Sequence, residues 1–173
     1  MTFSARFLPP AAAVITRRFV FGGGKRRSET IPMSEWIECE LAQILLMTDS
    51  MSSPQVIVLR EKEGGRSFMV HIGLFEALAI NRQIHGESLP RPLTHDLLMT
   101  LMGALGGRLL RVAISDLVED DEGNGTFYGF LVVDKGGGEV VIDCRPSDAI
   151  AMATRAKCPI YVSRDVIDKV STA

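Results

Sequence analysis

No apolar run in this chain approaches the eighteen or so residues needed to span a bilayer as a helix, so no membrane span is expected. The three cysteines, Cys39, Cys144 and Cys158, are odd in number and lack CxxC spacing. That pattern argues against a disulfide framework and a zinc site. Reduced thiols packed as small hydrophobes in a cytoplasmic protein are the expectation. One Trp and two Tyr provide no obvious aromatic platform for stacking single-stranded bases. His-x-His pairs, H-E-x-x-H and the P-loop glycine–lysine signature are also missing.

What is present suits one globular domain. The chain has 173 residues, 46% of them hydrophobic and 23% charged, enough to bury a sizeable core. Charge is unevenly placed. Residues 1–32 carry six basic side chains against the single acid Glu29, while the rest carry 13 basic and 20 acidic ones, a balance of −7. An acidic body is a poor general binder of phosphate backbones, because affinity there comes from cations displacing counterions. A weak binder using a local basic pocket or a metal is still allowed.

Residues 1–32 combine Pro9-Pro10, Gly22-Gly23-Gly24 and scattered arginines without a sustained period. A disordered basic extension is expected there, with Met33 as the alternative start of the protein. The domain proper is expected over residues 33–173.

Alternation predicts strands over residues 36–47, 55–61 and 67–72, the last two joined by Glu63-Gly64-Gly65. Gly73 opens a helix to about Ile84. A second helix follows Thr94, its apolar stripe formed by Leu97, Leu98, Leu101, Met102 and Leu105 and its end marked by Gly106-Gly107. Strands at Leu110–Ile114, Thr126–Val133 and Glu139–Asp143, a helix to about Ala156, a strand at Pro159–Val162 and a helix capped by Ser163 complete the order. Short hairpin turns favour antiparallel pairing, and β-β-β-α-α-β-β-β-α-β-α lacks the alternation of a doubly wound sheet, so the fold class is α+β.

The densest chemistry lies in Asp143-Cys144-Arg145-Pro146-Ser147-Asp148, at a strand end and helix start. About fifty residues earlier stands Arg91-Pro92-Leu93-Thr94-His95-Asp96. A helix start needs only one cap, so two clusters joining Arg-Pro to a hydroxyl and an acid point to a shared polar site. Functionally, Arg145 and Arg91 offer planar forks to a phosphate, with Ser147 and Thr94 as further ligands. Asp143, Asp148 and Asp96 are candidate ligands for magnesium or manganese, or positioners of water. His95 is a candidate general acid or base. Structurally, the same residues serve helix starts: Thr94 as one N-cap and Ser147 or a neighbour as the other, Asp96 and Asp148 complementing the dipole, Arg145 paired with Asp143. Glu76, after Gly73, could reach the same site. His71, in an apolar strand, and Asp116 are weaker candidates.

The stretches Pro54–Arg60, Ile72-Gly73 with Glu76-Ala77, Arg91–Leu97, Thr126–Gly129 and Asp143–Arg155 resemble, in order, the motifs of the bifunctional nuclease domain family. The resemblance covers roughly residues 36–170. It implies a mixed fold with a bent, barrel-like sheet flanked by helices, and hydrolysis of phosphodiester bonds in DNA and RNA with low sequence specificity. His71 departs from the large apolar residue common at that place in the family. The strand-borne Asp…Glu-x-Lys arrangement of restriction-type nucleases is absent, since Asp143 is followed by Cys144-Arg145. The alternative is a non-catalytic binding or regulatory module with an anion-binding polar cleft. Either would be a homodimer or higher homo-oligomer.

Overall fold

The computed structural model describes residues 14–20, 26–32, 35–47 and 53–170, with side chains described only in the last two ranges. Inside the segment expected to be a basic tail, β1 (Val14–Val20) pairs antiparallel with β2 (Arg26–Pro32) as a separate two-stranded ladder. The other residues of 1–32, and Met33, lie outside the described residues, as does the expected disorder there.

The body follows the order read from the sequence. It runs β3 (Trp36–Leu45), β4 (Gln55–Glu61), β5 (Ser67–Ile72), α1 (Leu74–Ile84), α2 (Thr94–Ala104), β6 (Gly107–Glu119), β7 (Gly125–Lys135), β8 (Gly138–Cys144), α3 (Pro146–Ala156), β9 (Ile160–Ser163) and α4 (Arg164–Val170). Seven strands form one sheet in the order β5-β4-β3-β9-β6-β7-β8. Every pair is antiparallel except β6 with β9. The α3 crossover makes that parallel pair possible, since antiparallel hairpins cannot.

The sheet is curled. Trp36 on β3 and Phe130 on β7 stand three strand spacings apart in the sheet order, about 14 Å if it were flat. Their rings nevertheless meet edge to face at 5.6 Å. Strong right-handed twist together with bulges in β6, at Leu109/Arg111 and Ile114/Asp116, bends the sheet into a half-barrel whose inner face holds Trp36, Ala113, Phe130 and Val132.

The outer face carries the helices and the larger core. α3 lies at its centre, packing on α1, α2, β6 and β7. Ala149, Ile150, Ala151, Met152 and Ala153 are consecutive and all buried. A helix enclosed nearly all round must be apolar all round, and its alanines let the neighbours approach closely. Gly129 in β7 serves the same packing. A Cβ there would meet the Ala113 carbonyl oxygen at 3.1 Å and Pro146 Cα at 3.6 Å, so the bare backbone lets the start of α3 sit directly on the sheet. α3 ends on Lys157, whose φ of 53° is the left-handed cap more commonly given to glycine.

α2 differs from the expectation raised by its pattern. The leucines of its apolar stripe are exposed, Leu97 at 58% and Leu105 at 65%, while Met102 packs half-buried on the core and the one buried side chain is His95. A hydrophobic period shows which side chains share a face. What covers that face is decided by neighbours, and α2 sits at the margin of the helical layer.

Candidate active site

The two Arg-Pro clusters meet. α2 and α3 start side by side, and His95 Nε2 lies 3.2 Å from Asp148 Oδ1. Arg145 donates from Nε to Asp148 Oδ2 at 2.9 Å and from Nη2 to Oδ1 at 3.1 Å. The same Nη2 lies 2.9 Å from Glu76 Oε1, which brings in the first turn of α1. The result is a continuous chain, Glu76–Arg145–Asp148–His95, drawn from three helix starts.

Local structure explains the placement. Arg145 is itself the N-cap of α3, in extended conformation, and Pro146 takes the first helical position, where its missing N–H costs nothing. Asp148 then falls in the first turn, three residues beyond Arg145, within reach of its fork. At α2 the N-cap is Leu93, and Asp96 Oδ2 accepts the Leu93 N–H at 2.8 Å. Thr94 is therefore not the cap expected of it, and at α3, where Ser147 or a neighbour was expected, the cap is Arg145. Both hydroxyl residues lie inside their helices, Thr94 exposed and Ser147 buried. At α3 the proline sets the start, because Pro146 at the first helical position holds Arg145 before it extended.

A second ion pair holds the site from behind. Arg155, whose side chain is 7% exposed, donates from Nε to Asp96 Oδ1 at 2.6 Å. It also donates to the carbonyls of Ala151 (2.9 Å) and Ala79 (3.4 Å), tying α3 to α1 and α2. The arginine was visible in the sequence only as the end of a family motif. Nothing in its spacing announced that it would be buried against a carboxylate 59 residues away.

Charge states follow these contacts. Burial works against ionisation of Asp148, yet the hydrogen bonds from Arg145 and His95 outweigh it and hold the carboxyl below its usual range. For Asp96 the Arg155 hydrogen bond is the main cause of a lowered value, aided by the Leu93 N–H against some burial. Burial pushes the Cys39 and Cys144 thiols up to about 12 and Cys158 up to about 11. All three are free and stay protonated near neutrality, which makes them poor nucleophiles.

Two cavities flank the ion-paired chain, and Leu98, Arg145 and Asp148 line both. One, of about 730 Å³, is a mainly apolar groove between α2 and the β7–β8 hairpin, with Asp143 at its polar end. The other, of about 400 Å³, lies between α1 and α2 and takes in Phe75, Glu76, Arg82, Thr94 and His95. Asp143 is exposed on the edge strand and takes no part in the chain of ion pairs. Arg91 is exposed in the loop before α2 and lines neither cavity, as is true of buried Ser147. His71 and Asp116 stand apart from both.

As ligands for magnesium or manganese, Asp96, Asp143 and Asp148 do not fit well. Both oxygens of Asp148 are taken by Arg145 and His95, and those of Asp96 by Arg155 and the Leu93 N–H. Among the described residues no group of three His, Cys, Asp or Glu side chains is placed to hold a metal ion.

A curled α+β half-barrel with an Arg–Asp–His chain at converging helix starts is thus the class of protein that fold and site define. The model of the bifunctional nuclease domain matches residues 57–173, and the chain belongs to that family. An uncharacterised protein of Mycobacterium tuberculosis is 39% identical over 128 residues, covering 74% of this chain and 73% of its own length. Bifunctional nuclease 1 of rice, Oryza sativa subsp. japonica, is 26% identical over 129 residues, 72% of this chain. The match spans 37% of the rice protein. No helix among the described residues is long and apolar enough to cross a membrane.

Proposed function

We propose that the chain is a nuclease that hydrolyses phosphodiester bonds in DNA and RNA with little sequence specificity, acting in the cytoplasm. The observation that supports this best is the buried His95 held 3.2 Å from Asp148, which Arg145 clamps in turn. A histidine that donates Nε2–H to a carboxylate has its tautomer set, leaving Nδ1 for proton transfer. Arg145, 66% exposed at its side chain, has Nη1 outside the bonds to Asp148 and Glu76 and can offer it to a phosphate oxygen. Water adds to phosphorus as the bond to the leaving oxygen breaks. Nδ1 of His95 accepts the proton that the attacking water loses, and the imidazolium so formed returns it to the departing oxygen.

The test uses the full chain beside Arg145→Ala and Asp148→Asn, with labelled single- and double-stranded DNA and RNA in manganese, magnesium or EDTA. The parent is expected to cleave, and both folded variants to lose about a hundredfold or more in rate. The EDTA arm decides whether a divalent ion takes part. Equal cleavage by all three proteins, or none by the parent under any condition, would overturn the proposal. The second outcome leaves a non-catalytic binding or regulatory module, in which the engagement of Arg145 with two carboxylates serves to join the helix starts.

Self-association belongs to the same proposal. Exposed Leu98 and Leu101 on α2 and Leu105 at its end line the 730 Å³ groove together with Val140 and Ile142 on β8, an edge strand of the seven-stranded sheet. Exposed apolar side chains grouped in this way support reading the groove as the contact between two copies of the chain. By light scattering the parent is expected to run as a dimer and Leu101→Glu as a monomer. An unchanged mass for the variant would count against this face.

A further inference from the structure

Phe75 is the most exposed large apolar side chain among the described residues, at 75%. It sits one position before Glu76, the carboxylate that meets Arg145, and lines the 400 Å³ cavity with His95, Arg145 and Asp148. The face it belongs to is built by helical spacing. Phe75, Leu78, Ala79 and Arg82 stand at i, i+3, i+4 and i+7 of α1, and all four line that cavity. The opposite side of the helix buries Ala77 and Ile80. An aromatic ring is thus presented to solvent beside the proposed catalytic pair, next to the half-buried Leu78, with Arg82 two turns beyond Phe75, 40% exposed and held by Glu87 only at 3.7 Å.

From this arrangement we infer that Phe75 is a stacking platform for an unpaired base, and that the substrate class is single-stranded nucleic acid in preference to duplex. The inference rests on the nuclease reading for the phosphate position at Arg145, though base binding itself does not require cleavage. Two physical arguments carry it. An aromatic face can stack only on a base whose own face is free, and each such contact is worth about tenfold or more in affinity. A duplex hides those faces and offers phosphates, which require an array of cations. The chain beyond residue 32 has a balance of −7, and at the site Arg145 already faces Asp148 and Glu76. With little backbone attraction to draw on, binding here depends on the base.

The experiment measures fluorescence anisotropy of a labelled short phosphorothioate single strand, which resists hydrolysis, against its duplex and an abasic strand of equal length. Parent, Phe75→Tyr, Phe75→Leu and Phe75→Ala are compared as full chains. The parent and Phe75→Tyr are expected to bind the single strand about tenfold or more tightly than Phe75→Leu and Phe75→Ala do. Duplex and abasic binding should be weaker and indifferent to residue 75. Equal binding by all four proteins, abasic binding equal to that of the normal strand, or no single-strand binding by the parent would overturn the platform. A parent that cleaves while Phe75→Ala binds normally would sink the platform and spare the nuclease. Phe75-dependent binding by a parent that never cleaves would do the reverse.

Discussion

Arg155→Met is expected to lower the free energy of unfolding by about 3 kcal/mol, toward the lower end of the cost of breaking a buried ion pair. The arginine side chain is 7% exposed, but its partner Asp96 is 37% exposed, so water recovers part of the loss on the carboxylate side. Methionine keeps the packing volume and removes the donors, leaving the carbonyls of Ala79 and Ala151 without the bonds that Arg155 supplied. In a chain of this size that corresponds to a fall of roughly 6–12 °C in melting temperature. Asp96→Leu in the Arg155→Met background should cost less than the sum of the single changes, since the uncompensated carboxylate is then gone. Urea unfolding of the four proteins checks both statements. A loss below about 1 kcal/mol would show that the pair is a surface contact in energetic terms.

The second large effect concerns His95. In the cleavage assay His95→Gln is expected to reduce turnover by about 10²–10⁴-fold, the usual contribution of a positioned general acid or base. Glutamine can still hydrogen-bond Asp148 across a 3.2 Å gap but cannot carry a proton. Substrate affinity should therefore change little, and the melting temperature should stay close to the parent's. A purely structural histidine predicts the reverse pattern, with stability lost in His95→Ala and turnover intact in His95→Gln. Full activity in His95→Gln would remove His95 from the chemistry.

The order of strands and helices was legible in the chain. Two-residue alternation in Ile37–Leu45 and Leu110–Ile114, glycine turns at Gly64-Gly65 and Gly136-Gly137, and breaks at Pro92 and Gly106 mark most elements to within a few residues. The reason is that pleat, helical repeat and turn stereochemistry are local properties that each residue imposes on its neighbours. The Arg91–Asp96 and Arg145–Asp148 clusters also stood out as polar chemistry at helix starts. Only the tertiary structure decided that His95 would touch Asp148, that Glu76 would join through Arg145 while Arg91 and Ser147 would not, and that Arg155 would be buried under Asp96. It decided too that the leucines of α2 would face out and Phe75 would stand exposed beside the site. Those outcomes depend on how a curled sheet sets three helix starts against one another, through contacts between residues 53 to 69 positions apart that no local period encodes.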